Sequence, residues 1–284
     1  MTNPTILTAE QCEHYRKNGF LVLENAIPLD AIEQLKSAAL SIVDNFDINQ
    51  HRTTFTTTDR DSGRDDYFFN SAENIHCFLE EDALGSEGEL LKPPRLAINK
   101  IGHAMHDLDP AFNDFCSMPI FGQLLRDIGC EQPQLWQTMY IFKQPKIGGE
   151  VRWHQDASYL ISEPSSTIGV WVAIEDAHKG NGCLWVQPGG QKTPLREIYQ
   201  VDWDKREGTL AHLRDLPWPS EQEAIAVEVP AGSIVLFDDH MPHYSSQNLS
   251  ENSRHAFTMH VASANSTWSE SNWLQRGQLG PFSL

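Results

Sequence analysis

No Cys-x-x-Cys pair occurs anywhere in this sequence, and its five cysteines, Cys12, Cys77, Cys116, Cys130 and Cys183, are odd in number and far apart. That removes a zinc ribbon and a dithiol redox motif, and it fits a chain kept in a reducing compartment. Also missing is any apolar run approaching the roughly 18 residues of a membrane helix. The opening Met-Thr-Asn-Pro-Thr-Ile-Leu lacks the basic and apolar regions of a secretion signal. The expectation is a cytoplasmic protein with no membrane partner. Basic residues are scarce: 21 Lys plus Arg against 39 Asp plus Glu give a formal charge of -18. No basic stripe is available to neutralise a phosphate backbone, so nucleic acid is not an expected partner. Internal repeats, low-complexity tracts and clear linkers are absent as well.

What is present suffices for a core around a cofactor pocket, with 40% hydrophobic and 10% aromatic residues in 284. One large domain is expected, with 1–130 as mostly helical support, 131–265 as the core and 266–284 as a C-terminal tail. Thr8 and Gln11 have capping-box spacing and Gly19 stands at the matching C-cap, which predicts a short helix followed by a strand at 20–23. After Pro28, Ile32, Leu35, Ala39, Ile42, Val43 and Phe46 recur with a helical period. Residues 53–91 show no clear period, and loops of that length are uncommon unless functional, so an active-site lid is a candidate role. Asp109-Pro110 opens a helical region that Gly129 closes. Beyond it, β-type runs at 134–144, 169–174, 183–187, 224–229, 233–237 and 256–262, separated by turn residues, predict a mainly β fold with flanking helices, a double-stranded β-helix or jelly roll.

The chemistry concentrates in three strings. Trp153-His-Gln-Asp156 contains the only His-x-Asp of the chain. In an extended segment residues i and i+2 share a face, so His154 and Asp156 can ligate one metal together. His243, from a distant strand, completes a 2-His-1-carboxylate face with open positions, the pattern of non-haem Fe(II) oxygenases. Arg254, eleven residues further on, is placed to pair bidentately with a carboxylate, and Ser245 can add a hydroxyl donor. Those features fit 2-oxoglutarate and O2 as co-substrates. His240 competes with His243, which the Ser245 and Arg254 spacing favours. His103 and His106, near Asp107 and Asp109, read more simply as satisfied polar residues than as a second metal site, and Trp268 and Trp273 as C-terminal packing.

The order His154-x-Asp156, His243-x-Ser245 and Arg254 resembles the phytanoyl-CoA dioxygenase family over nearly the whole chain. Ile98-Asn-Lys-Ile-Gly-His103, Met139-Tyr-Ile-Phe-Lys-Gln-Pro145, Gly182-Cys-Leu-Trp185 and Asn272-Trp-Leu274 place it near the domain-containing protein 1 subfamily. The resemblance implies a jelly roll, Fe(II), 2-oxoglutarate and hydroxylation of a small-molecule C–H bond with release of succinate and CO2. It also implies Lys100, Met139 and Trp171 as co-substrate pocket residues. Pro188-Gly-Gly-Gln191 departs from the Pro-Gly-Ser-His of many relatives, so no substrate contact is carried over to this chain from that turn. The alternatives are a non-catalytic jelly-roll module and one loaded with zinc or nickel. The primary substrate, use of an acyl-CoA and oligomeric state are not encoded in these motifs.

Overall fold

The computed structural model describes residues 5–55 and 65–284. The α-helices among the described residues are α1 (Ala9–Asn18), α2 (Leu29–Asn45), α3 (Asp66–Asn70), α4 (Met105–Leu108), α5 (Pro110–Cys116) and α6 (Pro119–Asp127). The first eight strands are β1 (Phe20–Leu23), β2 (Ile75–Leu79), β3 (Ile98–His103), β4 (Pro133–Ile141), β5 (Val151–His154), β6 (Ser162–Glu163), β7 (Ile168–Ala173) and β8 (Leu184–Val186). The remainder are β9 (Glu197–Asp202), β10 (Glu207–His212), β11 (Ile225–Val227), β12 (Ile234–Asp238), β13 (His243–Ser245), β14 (Ala256–Ser263), β15 (Thr267–Trp268) and β16 (Phe282–Ser283).

The larger sheet runs β1-β12-β7-β14-β4-β3-β2, with β16 added along β4, and the smaller runs β11-β8-β13-β5. Strand β7, in the interior of the larger sheet, is buried at every position because that sheet is covered on both faces there. Alternation decides which side chain goes where. Val170, Val172, Phe257, Met259 and Val261 share a cluster with Ile32, Leu35 and Val43 of α2, Phe112 of α5 and Leu124 of α6. Trp171, Ala173 and Ala256 point the other way and pack with Leu184, Val186 and Val227 of the smaller sheet. The result is the jelly roll anticipated from the strand texture, with helices on one outer face.

The chain before residue 130 supplies more than helical support, since β1, β2 and β3 all belong to the larger sheet. Helix α1 carries the capping box of Thr8 and Gln11 and ends at Gly19 with φ +78. Within the aperiodic stretch 53–91, α3 and β2 are regular, and β2 is the sheet's edge strand. Residues 56–64 of that candidate lid lie outside the described residues. Among the described residues no helix is long and apolar enough to cross a membrane.

Candidate metal centre and its pocket

His154 and His243 are direct cross-strand partners, because β5 and β13 pair antiparallel with these two residues opposite each other. Their rings lie 4.0 Å apart, centroid to centroid. Gln155 continues the extended backbone, and Asp156 then opens a short 3-10 turn, so the i, i+2 relation brings the carboxylate round to the same point. One ligand atom from each of His154, Asp156 and His243 lies within 4.8 Å of the others. Asp156 Oδ1 is 3.6 Å from Nε2 of either histidine.

Second contacts fix these donors. His154 Nδ1 donates to the Arg152 carbonyl at 2.8 Å and His243 Nδ1 to that of Met241 at 2.9 Å, which turns both Nε2 lone pairs inward. Burial, reinforced by His243, pushes the His154 imidazole down to about 3, so it is neutral at pH 7. Burial works against ionisation of Asp156, but His260, His243 and His154 outweigh it and hold the carboxyl well below the usual range. Gly169 secures the floor: a Cβ there would stand 2.2 Å from Phe237, whose ring packs 4.7 Å from His243.

Arg254 stands two residues before β14 and is 2% exposed. Its Nε donates to the Gly182 carbonyl at 3.1 Å and its Nη2 to Ser245 Oγ at 3.4 Å, while the guanidinium lies 5.5 Å from the Trp171 ring centre. Nη1 is buried with no hydrogen-bond partner among the described residues. Such an orphan is the kind of group that a ligand carboxylate satisfies. Burial lowers this guanidinium to about 10, still charged at neutral pH. Ser245 Oγ donates to the same Gly182 carbonyl at 2.8 Å.

A cavity of about 210 Å³ opens onto His154 and Asp156. Lys100, Met139, Trp153, Tyr159, Tyr199 and Trp273 contribute to its wall. Lys100 is an interior residue of β3 rather than a strand-end lysine, with its Nζ 3.8 Å from Met139 Sδ and 3.4 Å from the centre of the Phe55 ring. Trp171 does not line this cavity; it packs beneath Arg254. Trp273 does line it, against Phe68 and His103, whereas Trp268 stacks on Trp136 at 4.0 Å. His240 is not part of the His154 cluster: its Nδ1 pairs with Asp239 at 2.8 Å, which raises the imidazole. His106 is buried beside Arg276 and Thr138, and His103 bonds Ser71 Oγ at 2.8 Å. Gln191, in the departing turn, bonds the carbonyls of Arg16 and Lys17 and so holds α1.

The family model for phytanoyl-CoA dioxygenase matches residues 15–256, which include every residue of the cluster. The chain belongs to the phytanoyl-CoA dioxygenase family. Among its curated relatives, a phytanoyl-CoA dioxygenase of Arabidopsis thaliana is 38% identical, covering 96% of this chain and 95% of its own. Phytanoyl-CoA dioxygenase domain-containing protein 1 of Mus musculus is 38% identical, covering 97% of each. In fold, this family member is similar to the non-heme alpha ketoglutarate dependent carbocyclase SnoK at a TM-score of 0.65 and 17% identity over 99% of both chains. EctD from S. alaskensis, crystallised with 2-oxoglutarate and 5-hydroxyectoine, gives 0.64 and 17% over 95% of this chain and 81% of that one.

Three residues at this site escaped the spacing argument. Lys143 Nζ donates to the Gly149 carbonyl at 2.6 Å, and burial together with Arg254 lowers the amine to about 7. Gln137 and His260 lie in the cavity wall next to Asp156. The available signal was a histidine inside the mostly apolar strand Ala256–Ser263, a residue type rarely buried without a partner.

Proposed function

We propose that this protein is an Fe(II)- and 2-oxoglutarate-dependent dioxygenase that hydroxylates a C–H bond of a small molecule. The donor set suits the metal: two imidazoles with their Nδ1 sides committed to backbone carbonyls converge with one carboxylate, the chemistry of a 2-His-1-carboxylate iron site. His154, Asp156 and His243 would hold the iron. The observation that carries the co-substrate is the buried Arg254 with its unsatisfied Nη1. A metal protein that needed no carboxylate ligand would gain nothing from leaving that nitrogen dry.

With both groups bound, the centre supplies O2 activation coupled to conversion of 2-oxoglutarate to succinate and CO2. The chain's own work is positional. Arg254, braced by Ser245 Oγ, would bind the distal carboxylate, and Lys100 and Met139 would wall the cavity from β3 and β4. Tyr159, Tyr199 and Trp273 exclude water and hold the substrate's apolar part. Residues 1–284 act as one unit in this reading.

Purified protein given Fe(II), 2-oxoglutarate and O2 should release succinate, the same protein with Zn(II) should not, and Asp156→Ala with Fe(II) should not. Equal succinate with zinc, or none with iron across a panel of small-molecule candidates, would remove the reading.

A further inference from the structure

Asp156 offers two oxygens that face different groups. Oδ1 is the atom 3.6 Å from both ligand imidazoles, while Oδ2 lies 3.1 Å from His260 Nε2. On the far side of that ring, His260 Nδ1 lies 2.9 Å from Gln137 Nε2. A carboxamide nitrogen can only donate, so Nδ1 accepts, and the ring proton that stands on Nε2 is donated to Oδ2. The three side chains are 4–6% exposed, so no bulk water competes for these bonds.

The backbone builds this line deliberately. His260 and Gln137 are cross-strand partners in β14 and β4, and the pairing then slips, Val261 standing opposite Leu135. Trp136 is the extra residue of that bulge, and a bulge of this kind re-aims side chains beside active sites. It turns Gln137 toward the cavity while Leu135 stays in the core against the helices.

We propose that His260, oriented by Gln137, is a positioning residue that engages Asp156 Oδ2 and so presents Oδ1 alone to the metal. This rests on Asp156 being the iron carboxylate. A hydrogen bond to one oxygen keeps the carboxylate from turning to bind through both, and so preserves the open positions that the co-substrates require. Outer contacts of this kind are worth roughly 10- to 100-fold in metal affinity.

The test is anaerobic Fe(II) titration of the full chain, with the visible d–d spectrum of the Co(II)-loaded protein as a second readout and thermal unfolding as the control for folding. Glutamine places a donor near the position of Nε2, whereas asparagine falls short of Asp156 and leucine has no donor. His260→Gln should therefore bind Fe(II) within about threefold of wild type, and His260→Asn and His260→Leu should bind roughly 10- to 100-fold more weakly with shifted Co(II) bands. Gln137→Leu, which leaves the imidazole but frees its tautomer, should give a smaller loss in the same direction. Wild-type affinity and spectrum in His260→Asn, or a loss in His260→Gln as large as that in His260→Asn, would overturn the inference. If His260→Leu does not fold, the Gln and Asn pair decides alone. Asp156→Ala tests the parent reading separately: wild-type Fe(II) affinity there would strike the iron triad itself, whatever His260 does.

Discussion

Gly182 serves two donors with one carbonyl oxygen, and its own geometry leaves no room for a side chain. Its φ is +82, and a Cβ would meet Lys143 Cε and the Ser246 carbonyl at 2.6 Å. Gly182→Ala should thus cost about 1–3 kcal/mol in urea denaturation, through overpacking on top of the left-handed backbone. It should also weaken 2-oxoglutarate more than iron, because Arg254 and Ser245 lose their anchor first. Arg254→Ala carries the larger effect. Truncating one partner of a desolvated charge pair costs about 2–5 kcal/mol, so the Michaelis constant for 2-oxoglutarate should rise at least tens-fold where it tracks binding. Bound iron should stay the same, and Arg254→Lys should recover only part of the loss, since an ammonium cannot reproduce the planar fork. Iron loss with normal co-substrate affinity would move Arg254 out of the pocket role.

At the scale of elements, Lys143 sits just past β4 and buries a charge that the unfolded chain does not. Its amine falls from 10.5 to about 7 on folding, by burial first and Arg254 second. Below about pH 7 the lysine is charged in both states and its burial costs stability. As pH rises from there toward 10.5 only the folded chain sheds the proton, so the unfolded state binds more and this contribution to stability climbs. Comparing urea denaturation of metal-free wild type and Lys143→Met at pH 7 and 9 should show the wild type gaining on the variant; parallel curves would refute the shift. The elements differ in how readable they were. Strands β7, β12 and β14 announce themselves because both faces of the larger sheet are buried and the residues are correspondingly apolar. Strand β3 did not, since Asn99, Lys100, Gly102 and His103 break any alternation; they are polar or small because that strand borders the cavity, with Asn99, Lys100 and His103 in its wall. The hairpin of β9 and β10 was missed for the opposite reason, β10 being almost wholly exposed and free of an apolar stripe. The candidate metal ligands are legible because each lies in a short continuous string. The His260 and Gln137 contact was not, because it depends on pairing between strands 123 residues apart and on a one-residue slip.

Taken whole, the molecule is an anion of formal charge -18 that must admit a dianion. The solvated acidic side chains repel it and the buried Arg254 attracts it, but only the former act through solvent and are screened efficiently by salt. Raising ionic strength from about 10 to 100 mM, where the Debye length shrinks from roughly 30 to 10 Å, should lower the Michaelis constant for 2-oxoglutarate. A rise would mean that the local cation sets the field at the entrance. The anchoring of Arg254 has one more consequence. Its guanidinium is held by Gly182, Ser245 and Trp171, while at the other end His154 and His243 stand on paired strands and Asp156 is bonded by His260, so neither end can slide to meet a guest of the wrong size. Such a pocket is a caliper locked at one opening. Oxaloacetate, one methylene shorter, and 2-oxoadipate, one longer, can each satisfy only one jaw, and a methylene of misfit is worth roughly 10- to 200-fold in selectivity. Both should support succinate-equivalent turnover that much more poorly than 2-oxoglutarate, and freeing the far jaw with Gly182→Ala should narrow the difference.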